Sequence, residues 1–208
     1  MNGTAHAAVG AGAGFIVANT HTVTPTETLL LVSIGTIAGL LPDLDIDGKL
    51  RGRITLSHKM FRTIAQLIGI LMIAYSIYEG EGTNQFIGLG IGVLLLILAS
   101  FLKQKHMLLL TGIAVMAVGL SLQEMWLLLL GVYILIASVV AHRSYTHSAI
   151  GVIFVGYIAY RLELSFALPG IHSTCLAGYI SHLVADSKLL PFNKRGIKLF
   201  LPFSSKEV

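Results

Sequence analysis

The chain has 208 residues, of which 55% are apolar and only 12% are charged, and its mean hydropathy is +0.82. Soluble domains carry about 25% charged residues, so this chain has too few charges for a water-facing surface and is predicted to be an integral membrane protein. Its single cysteine, Cys175, excludes an internal disulfide framework and a thiolate zinc site, and the 14 Lys and Arg residues behind the net charge of +4 form no dense stripe for nucleic acid.

Eight apolar segments are predicted to form helices. Lipid offers the backbone no hydrogen bonds, so a spanning segment must be a helix or part of a closed barrel, and the apolar runs here are continuous, whereas barrel strands would alternate apolar and polar residues. In chain order they are 4–18, 28–41, 63–78, 82–102, 107–123, 125–141, 148–160 and 172–186. The four central runs contain no Asp, Glu, Lys or Arg. Each is about 24 to 32 Å long as a helix, close to the roughly 30 Å of a hydrocarbon core.

Basic residues alternate between successive loops, as the positive-inside rule requires. Lys and Arg are concentrated at 49–62, occur again at 103–105 and at Arg143, and are frequent in the tail from 188 onward, whereas the intervening loops are mostly acidic or mixed. Both chain ends are therefore predicted to be cytoplasmic. The predicted fold class is an all-α polytopic transmembrane bundle of about eight helices.

Side chains of the kind that bind metal ions converge on the predicted cytoplasmic boundary, although chance would divide them between the two faces. They are His6, Asp43, Asp45, His58, His142, His147, His182 and Asp186. Neutral imidazoles and carboxylates without thiolates suit Zn²⁺ first, with Mn²⁺ or Fe²⁺ as alternatives. Eight candidates are enough for one to three divalent ions.

Each local pattern also has a simpler interpretation. A histidine at a helix end is commonly an interfacial or capping residue. His182 and Asp186 are four residues apart on one helix face, where they can share an ion, form a histidine–carboxylate pair or simply hydrogen-bond. His142 and His147 are five apart and can aim at one point only from a turn.

The acidic cluster at 43–47 follows a helix C-terminus, where negative charge opposes the helix dipole. A bound cation would compensate for this charge, and so, less specifically, would Lys49 or Arg51.

A site of this composition can activate water and neutralise charge on a phosphoryl group, with a non-ligating carboxylate as base. The predicted catalytic residues are Asp43, Asp45 and Arg143, and Asp47 is an alternative to Asp45 as the base. Arg143 can clamp a phosphate, although its positive-inside role explains it equally well. Thr146 or Ser148 can cap the next helix, whose N-terminus favours an anion.

The sequence resembles the YdjM-type family of membrane-bound, metal-dependent hydrolases. The resemblance rests on His6 in a small-residue helix, LLPDLD at 40–45, HRSYTHS at 142–148, and GYISHLVADS at 178–187 followed by LLPFNKRGIKLFLPF. It implies a single domain over 1–208 in the cytoplasmic (inner) membrane of a prokaryote. The segment at about 82–122 lies outside the resemblance and looks like an added helical hairpin.

The order of the candidate ligands is also similar to that of zinc-dependent phospholipase C enzymes. This similarity implies hydrolysis of a phosphoester in a membrane lipid or lipid-linked substrate, here at the cytoplasmic face. No nucleic-acid partner is expected, because the basic residues form no dense stripe. The implied ligands are His6, Asp43, His58, His142, His147, His182 and Asp186. The alternatives are a metal-ion or proton-coupled transporter, which should carry polar groups near the midplane, and a structural membrane protein whose fold is stabilised by metal.

Overall fold

The computed structural model describes residues 3–21, 23–45, 57–141, 143–190, 193 and 196–208, except for the side chains of 104 and 105. This part of the chain contains eight α-helices and no strand, which confirms the predicted all-α class and helix number. The helices are α1 (Gly3–Thr20), α2 (Pro25–Ala38), α3 (His58–Tyr78), α4 (Gly82–Ser100), α5 (Gln104–Ser121), α6 (Met125–Ala137), α7 (Ala149–Phe166) and α8 (Ile171–Asp186). Short 3₁₀ turns occupy Leu41–Leu44 and Tyr145–His147.

Three of these helices, α3, α4 and α7, are long and apolar enough to cross a membrane. Three shorter apolar helices lie at Pro25–Ala38, His106–Ser121 and Met125–Ala137. Large apolar side chains point outward, for example Leu71 on α3 and Phe86 on α4, which are 66% and 73% exposed. Apolar surface of this extent is stable in contact with lipid rather than water.

Helix ends differ from the predicted ones where a charged residue was taken as a boundary. The helix predicted to end at 160 continues to Phe166, past Arg161 and Glu163. The Glu163 carboxylate accepts a hydrogen bond from the backbone N–H of His172 at 2.8 Å, so this charge has a partner at the start of α8. In contrast, α6 ends at Ala137 instead of 141, where the hydroxyl of Ser138 donates to the Leu135 carbonyl.

The chain divides into two compact units, Met1–Arg51 with Leu108–Val208, and Gly52–Met107. In the second unit α3 packs along α4, and Gly69 and Gly92 allow their backbones to approach: a Cβ on Gly69 would lie 3.0 Å from the Gly92 carbonyl oxygen. The single domain over 1–208 and the added hairpin at 82–122 stay predictions.

In the first unit α1, α2 and α8 meet around one backbone carbonyl. A Cβ on Gly10 of α1 would lie 2.2 Å from the Gly35 carbonyl oxygen, and one on Gly178 of α8 would lie 2.7 Å from the same atom. Only glycine permits backbones to pack this closely, as in the small-residue interfaces of membrane helices. The close packing brings the start of α1, the end of α2 and the end of α8 together.

The C-terminal tail folds back over the beginning of α7 and the end of α8. The carbonyl of Val208 accepts hydrogen bonds from the backbone N–H groups of Lys188 and Ile197 at 3.0 and 3.1 Å. The Lys188 ammonium lies 3.0 Å from the Glu207 carboxylate, and this hydrogen bond lowers the pKa of Glu207. The Leu199 carbonyl of the tail also accepts a hydrogen bond from the backbone N–H of Ala149, which directly follows the turn that carries His147 and its cap Ser148.

Candidate metal centre

Four short stretches of the first unit deliver the polar side chains of the candidate site. His6 lies in the first turns of α1, and His182 and Asp186 lie in the last turns of α8. The turn after α2, residues 41–45, carries Asp43 and Asp45 and is called the aspartate turn below. The turn before α7, Tyr145–His147, is called the histidine turn.

Four of these side chains form a compact group called the ligand ring: Asp43, His147, His182 and Asp186. One ligand atom from each lies within 4.8 Å of all the others. His182 Nε2 is 3.3 Å from His147 Nε2, 3.6 Å from Asp43 Oδ1 and 3.9 Å from Asp186 Oδ2. His147 Nε2 is 3.9 Å from Asp43 Oδ1. The predicted four-residue spacing of His182 and Asp186 thus places both on one helix face toward a common point.

The partner of His182 indicates which of its nitrogens carries the proton. Its Nδ1 lies 2.8 Å from the carbonyl oxygen of Gly39. A carbonyl only accepts hydrogen bonds, so Nδ1 is the protonated nitrogen and donates to it. In the neutral ring this leaves the Nε2 lone pair directed into the ligand ring.

His147 is held in the same tautomer by a different set of partners. Its Nδ1 lies 3.1 Å from the Thr146 hydroxyl and 3.6 Å from Asp45 Oδ2. Because the Thr146 hydroxyl donates to Asp45 Oδ2 at 3.0 Å, its own oxygen is available to accept from His147 Nδ1. The lone pair of His147 Nε2 therefore also points into the ring. A carboxylate behind a ligating histidine commonly orients the ring in protein metal sites.

The arrangement fits a divalent cation. Two imidazole lone pairs and two carboxylate groups converge at short distances, and acceptors that face one another repel unless a cation or a proton lies between them. The nitrogen and oxygen donors suit Zn²⁺, Mn²⁺ or Fe²⁺.

His6 and Arg143 both bind the Asp186 carboxylate from outside the ring. His6 Nε2 lies 3.3 Å from Asp186 Oδ1, and the His6 ring stacks on His182 with centroids 3.8 Å apart. Arg143 Nη2 lies 3.2 Å from Asp186 Oδ2. The Arg143 side chain is 27% exposed whereas that of Asp186 is 5% exposed, so Arg143 is the more accessible partner of this ion pair.

The eight predicted ligands thus divide into several groups. The ring contains Asp43, His147, His182 and Asp186. His6 contacts Asp186, and Asp45 lies behind His147 with no exposed surface. His58 begins α3 in the second unit, and His142 lies outside the described residues, as does Asp47.

The predicted cap of α7 is formed by Ser148 rather than Thr146. The Ser148 hydroxyl accepts the N–H of Gly151 at 3.5 Å, while Thr146 contacts Asp45 and His147. Two of the first three amides of α7 already have acceptors, since Ala149 donates to Leu199 and Gly151 to Ser148. The expected anion site at this terminus therefore has few free donors.

Sequence reasoning missed several groups that support the ring: the Gly39 carbonyl, Thr146 as a link between Asp45 and His147, and the tyrosines Tyr133 and Tyr179. Tyr179 donates to the Thr146 carbonyl, and Tyr133 OH lies 3.1 Å from the Leu41 carbonyl. A tyrosine inside an apolar helix was the available signal, because a buried hydroxyl needs a partner.

Together the fold and the site define an integral membrane protein that carries a candidate metal centre. The family model described as the YdjM inner membrane protein matches residues 1–208, the entire sequence. The chain therefore belongs to the YdjM inner membrane protein family, which confirms the predicted resemblance and agrees with a location in the inner membrane. No curated protein and no solved structure matches the chain.

Proposed function

We propose that this protein is a metal-dependent hydrolase that cleaves a phosphoester of a lipid or lipid-linked substrate at the cytoplasmic face of the membrane. The observation that carries the proposal is the convergence of two histidine lone pairs and two carboxylates, with Arg143 bound to one of them. When bound in such a ring, a divalent ion acts as a Lewis acid that lowers the pKa of water and offsets charge on a phosphoryl group. Zn²⁺ is the first candidate, since sites with two histidines and carboxylates are common for this ion.

The four ring residues are assigned two roles on the basis of their exposure. His147 and His182 have no exposed side-chain surface and Asp186 has 5%, so these three are proposed to hold one ion. Catalytic zinc sites typically use three protein ligands and leave one position for water or substrate. Asp43 is the most accessible of the four at 19%, and we assign it as the general base that takes the proton from the attacking water.

Arg143 is proposed to bind the phosphate group of the substrate. Its guanidinium already lies beside a ring carboxylate and is the most exposed part of the site. Guanidinium groups bind phosphate oxygens in paired, charge-assisted hydrogen bonds. In this position the arginine would orient the phosphoester toward the ring and Asp43.

A lipid substrate agrees with the environment of the protein. The chain belongs to a family of inner membrane proteins, so an amphiphile could present its headgroup to a site near the membrane surface while its acyl chains stay in the bilayer. The cytoplasmic side is inferred from the distribution of Lys and Arg among the loops. The same cations would attract anionic lipids by about 1 kcal/mol for each residue near the surface.

The proposal is tested with purified protein in nanodiscs that contain phosphatidylglycerol. The test measures metal content by mass spectrometry and the release of diacylglycerol and phosphorylated headgroup. His182→Ala should lose both metal and turnover, whereas Asp43→Asn should keep its metal and lose at least about 100-fold in turnover, as expected for a general base. His21→Ala, an exposed histidine in the turn that follows α1, is the matched control and should resemble the wild type.

Other outcomes point to the alternatives. A wild type that binds metal and unfolds when chelated, but cleaves no phospholipid or lipid-linked phosphate, would support a metal-stabilised structural protein. Uptake of Zn²⁺ or protons by reconstituted vesicles, without hydrolysis, would support a transporter.

A further inference from the structure

Two buried tyrosine hydroxyls lie side by side near the ligand ring. Tyr133 of α6 and Tyr179 of α8 are 3% and 0% exposed, and their hydroxyl oxygens are 3.2 Å apart. Tyr133 OH donates to the Leu41 carbonyl at 3.1 Å, and Tyr179 OH donates to the Thr146 carbonyl. Neither tyrosine belongs to the ligand ring or contacts a side chain of it in these hydrogen bonds.

The two carbonyls belong to the two turns that deliver ring residues. Leu41 begins the aspartate turn, two residues before Asp43, and Thr146 directly precedes His147 in the histidine turn. The turns come from parts of the chain about 100 residues apart, as the Thr146–Asp45 hydrogen bond spans 101 positions. The tyrosine pair therefore links both turns through their backbones to helices α6 and α8.

Counting protons shows that the pair has no spare donor. Three contacts connect the two hydroxyls and the two carbonyls, but two hydroxyls supply only two protons. When each tyrosine donates to its carbonyl, the hydroxyl oxygens simply lie in contact. Removing one hydroxyl leaves one identified carbonyl without its donor, while the other tyrosine can keep its own bond.

We propose that Tyr133 and Tyr179 are positioning residues that set the spacing between the aspartate and histidine turns. This spacing places Asp45 behind His147 and thereby sets the affinity and geometry of metal binding in the ligand ring. This inference rests on the proposed function only for the presence of a metal ion and does not depend on hydrolysis. The direct supports of ring residues, the Gly39 carbonyl and Asp45, orient individual imidazoles. The tyrosine pair instead holds two turns at a fixed separation.

The test is a Co²⁺ titration of metal-free protein in detergent, followed by visible absorption, for Tyr133→Phe, Tyr179→Phe and the control Tyr157→Phe. Visible Co²⁺ bands report ligand geometry, which a purely structural role would leave unchanged. Tyr157 is 50% exposed, stacks on Tyr160 and lies about two helical turns along α7 from the histidine turn that precedes this helix. Loss of a group that supports metal ligands typically weakens affinity by about 10- to 100-fold, and we expect each of the first two variants to lie in this range with altered bands.

Folding is separated from positioning by thermal unfolding with and without Co²⁺. A variant that is merely destabilised unfolds at a lower temperature but keeps the wild-type increase on adding metal, because this increase depends on the dissociation constant. A positioning variant loses part of the increase, even if its metal-free form is also less stable. Wild-type affinity, spectrum and metal-dependent increase in both variants would overturn the proposal and leave the hydrolase proposal intact.

The outcomes for the two proposals are distinguishable in the other direction as well. A wild type that binds Co²⁺ in the ring but cleaves no substrate overturns the hydrolase and still permits the expected loss of affinity in the tyrosine variants. A wild type that binds neither Co²⁺ nor Zn²⁺ overturns the positioning role together with the metal site.

Discussion

His147 Nε2 lies 3.3 Å from His182 Nε2, and the partners of the opposite ring nitrogens leave a lone pair on each of these two atoms. The two histidines lie 35 residues apart in the sequence, one in a turn and one near the end of a helix. Two acceptors at this distance are stable when a cation lies between them or when one ring takes up a proton. The described residues thus form a site whose stability should depend on what it binds.

The first prediction concerns metal removal. Chelation of the purified protein should lower its unfolding temperature, because the converging lone pairs and carboxylates then lose their cation. Adding Zn²⁺ back at about 100 times its dissociation constant should restore about 2.7 kcal/mol. The measurement is thermal unfolding in detergent, with Mg²⁺ as the control ion. An equal increase with Mg²⁺ and Zn²⁺ would argue against a site built from imidazoles.

The second prediction concerns Arg143. If this residue binds substrate phosphate, Arg143→Ala should reduce turnover by about 100-fold, in the range found when one transition-state donor is removed. Arg143→Lys should recover part of this loss, because lysine keeps the charge but cannot form paired hydrogen bonds. Metal content should stay close to that of the wild type in both variants.

The matched control for Arg143 is Arg161→Ala. Arg161 lies in the last turns of α7, whereas the histidine turn lies before the first turn of this helix. A loss of bound metal in Arg143→Ala, in proportion to the loss of turnover, would instead assign Arg143 to holding Asp186 in place.

Much of the fold could be predicted from the sequence because the physics of a bilayer is simple. Long continuous apolar runs are helical in a bilayer, and the eight predicted segments correspond to the eight helices found in the part of the chain that the structure describes. The predicted end of α7 was wrong because the charged residues Arg161 and Glu163 were taken as its boundary. The helix continues past both residues, and the Glu163 carboxylate has a hydrogen-bond partner at the start of α8.

The site could be predicted only in part. Residue type and spacing identified Asp43, His147, His182 and Asp186 as candidate ligands. They could not show that Asp43 lies in the ring whereas Asp45, two residues later in the same turn, lies behind His147. That difference depends on the direction of each side chain in a 3₁₀ turn and on Thr146, a residue that looked like a helix cap. The Gly39 carbonyl could not be found from residue types, because every residue has one.

The third prediction concerns Asp45, which is fully buried behind His147. Asp45→Asn keeps an oxygen that can accept from Thr146 but removes the negative charge behind the histidine. Metal affinity should fall by about 10- to 100-fold, the usual effect of losing such a partner. Competition with a Zn²⁺ indicator dye measures this change.

Thr146→Val is the informative companion to Asp45→Asn, because it removes the hydroxyl between Asp45 and His147 while keeping a similar shape. Similar losses in both single variants, with no further loss in the double variant, would indicate that the two residues act as one unit. Full additivity would contradict the proposed link.

The last prediction concerns the close packing of α1 against α2. Gly10→Ala should destabilise the first unit by at least about 1 to 3 kcal/mol, the usual cost of overpacking, because the added Cβ would lie 2.2 Å from the Gly35 carbonyl oxygen. The helices would have to separate, and Gly39, whose carbonyl holds His182, follows α2 directly. Bound metal should therefore decrease along with the unfolding temperature.

Gly12→Ala is the matched control, since it lies on the same helix and a Cβ there would meet nothing within 4 Å. Alanine favours a helix over glycine by roughly 1 kcal/mol, so this variant should be as stable as the wild type or slightly more stable. Thermal unfolding and metal content are measured on both variants in the same detergent. Equal stability of Gly10→Ala and Gly12→Ala would mean that α1 and α2 do not pack at this distance, and the position of His6 beside Asp186 would then lose its structural basis.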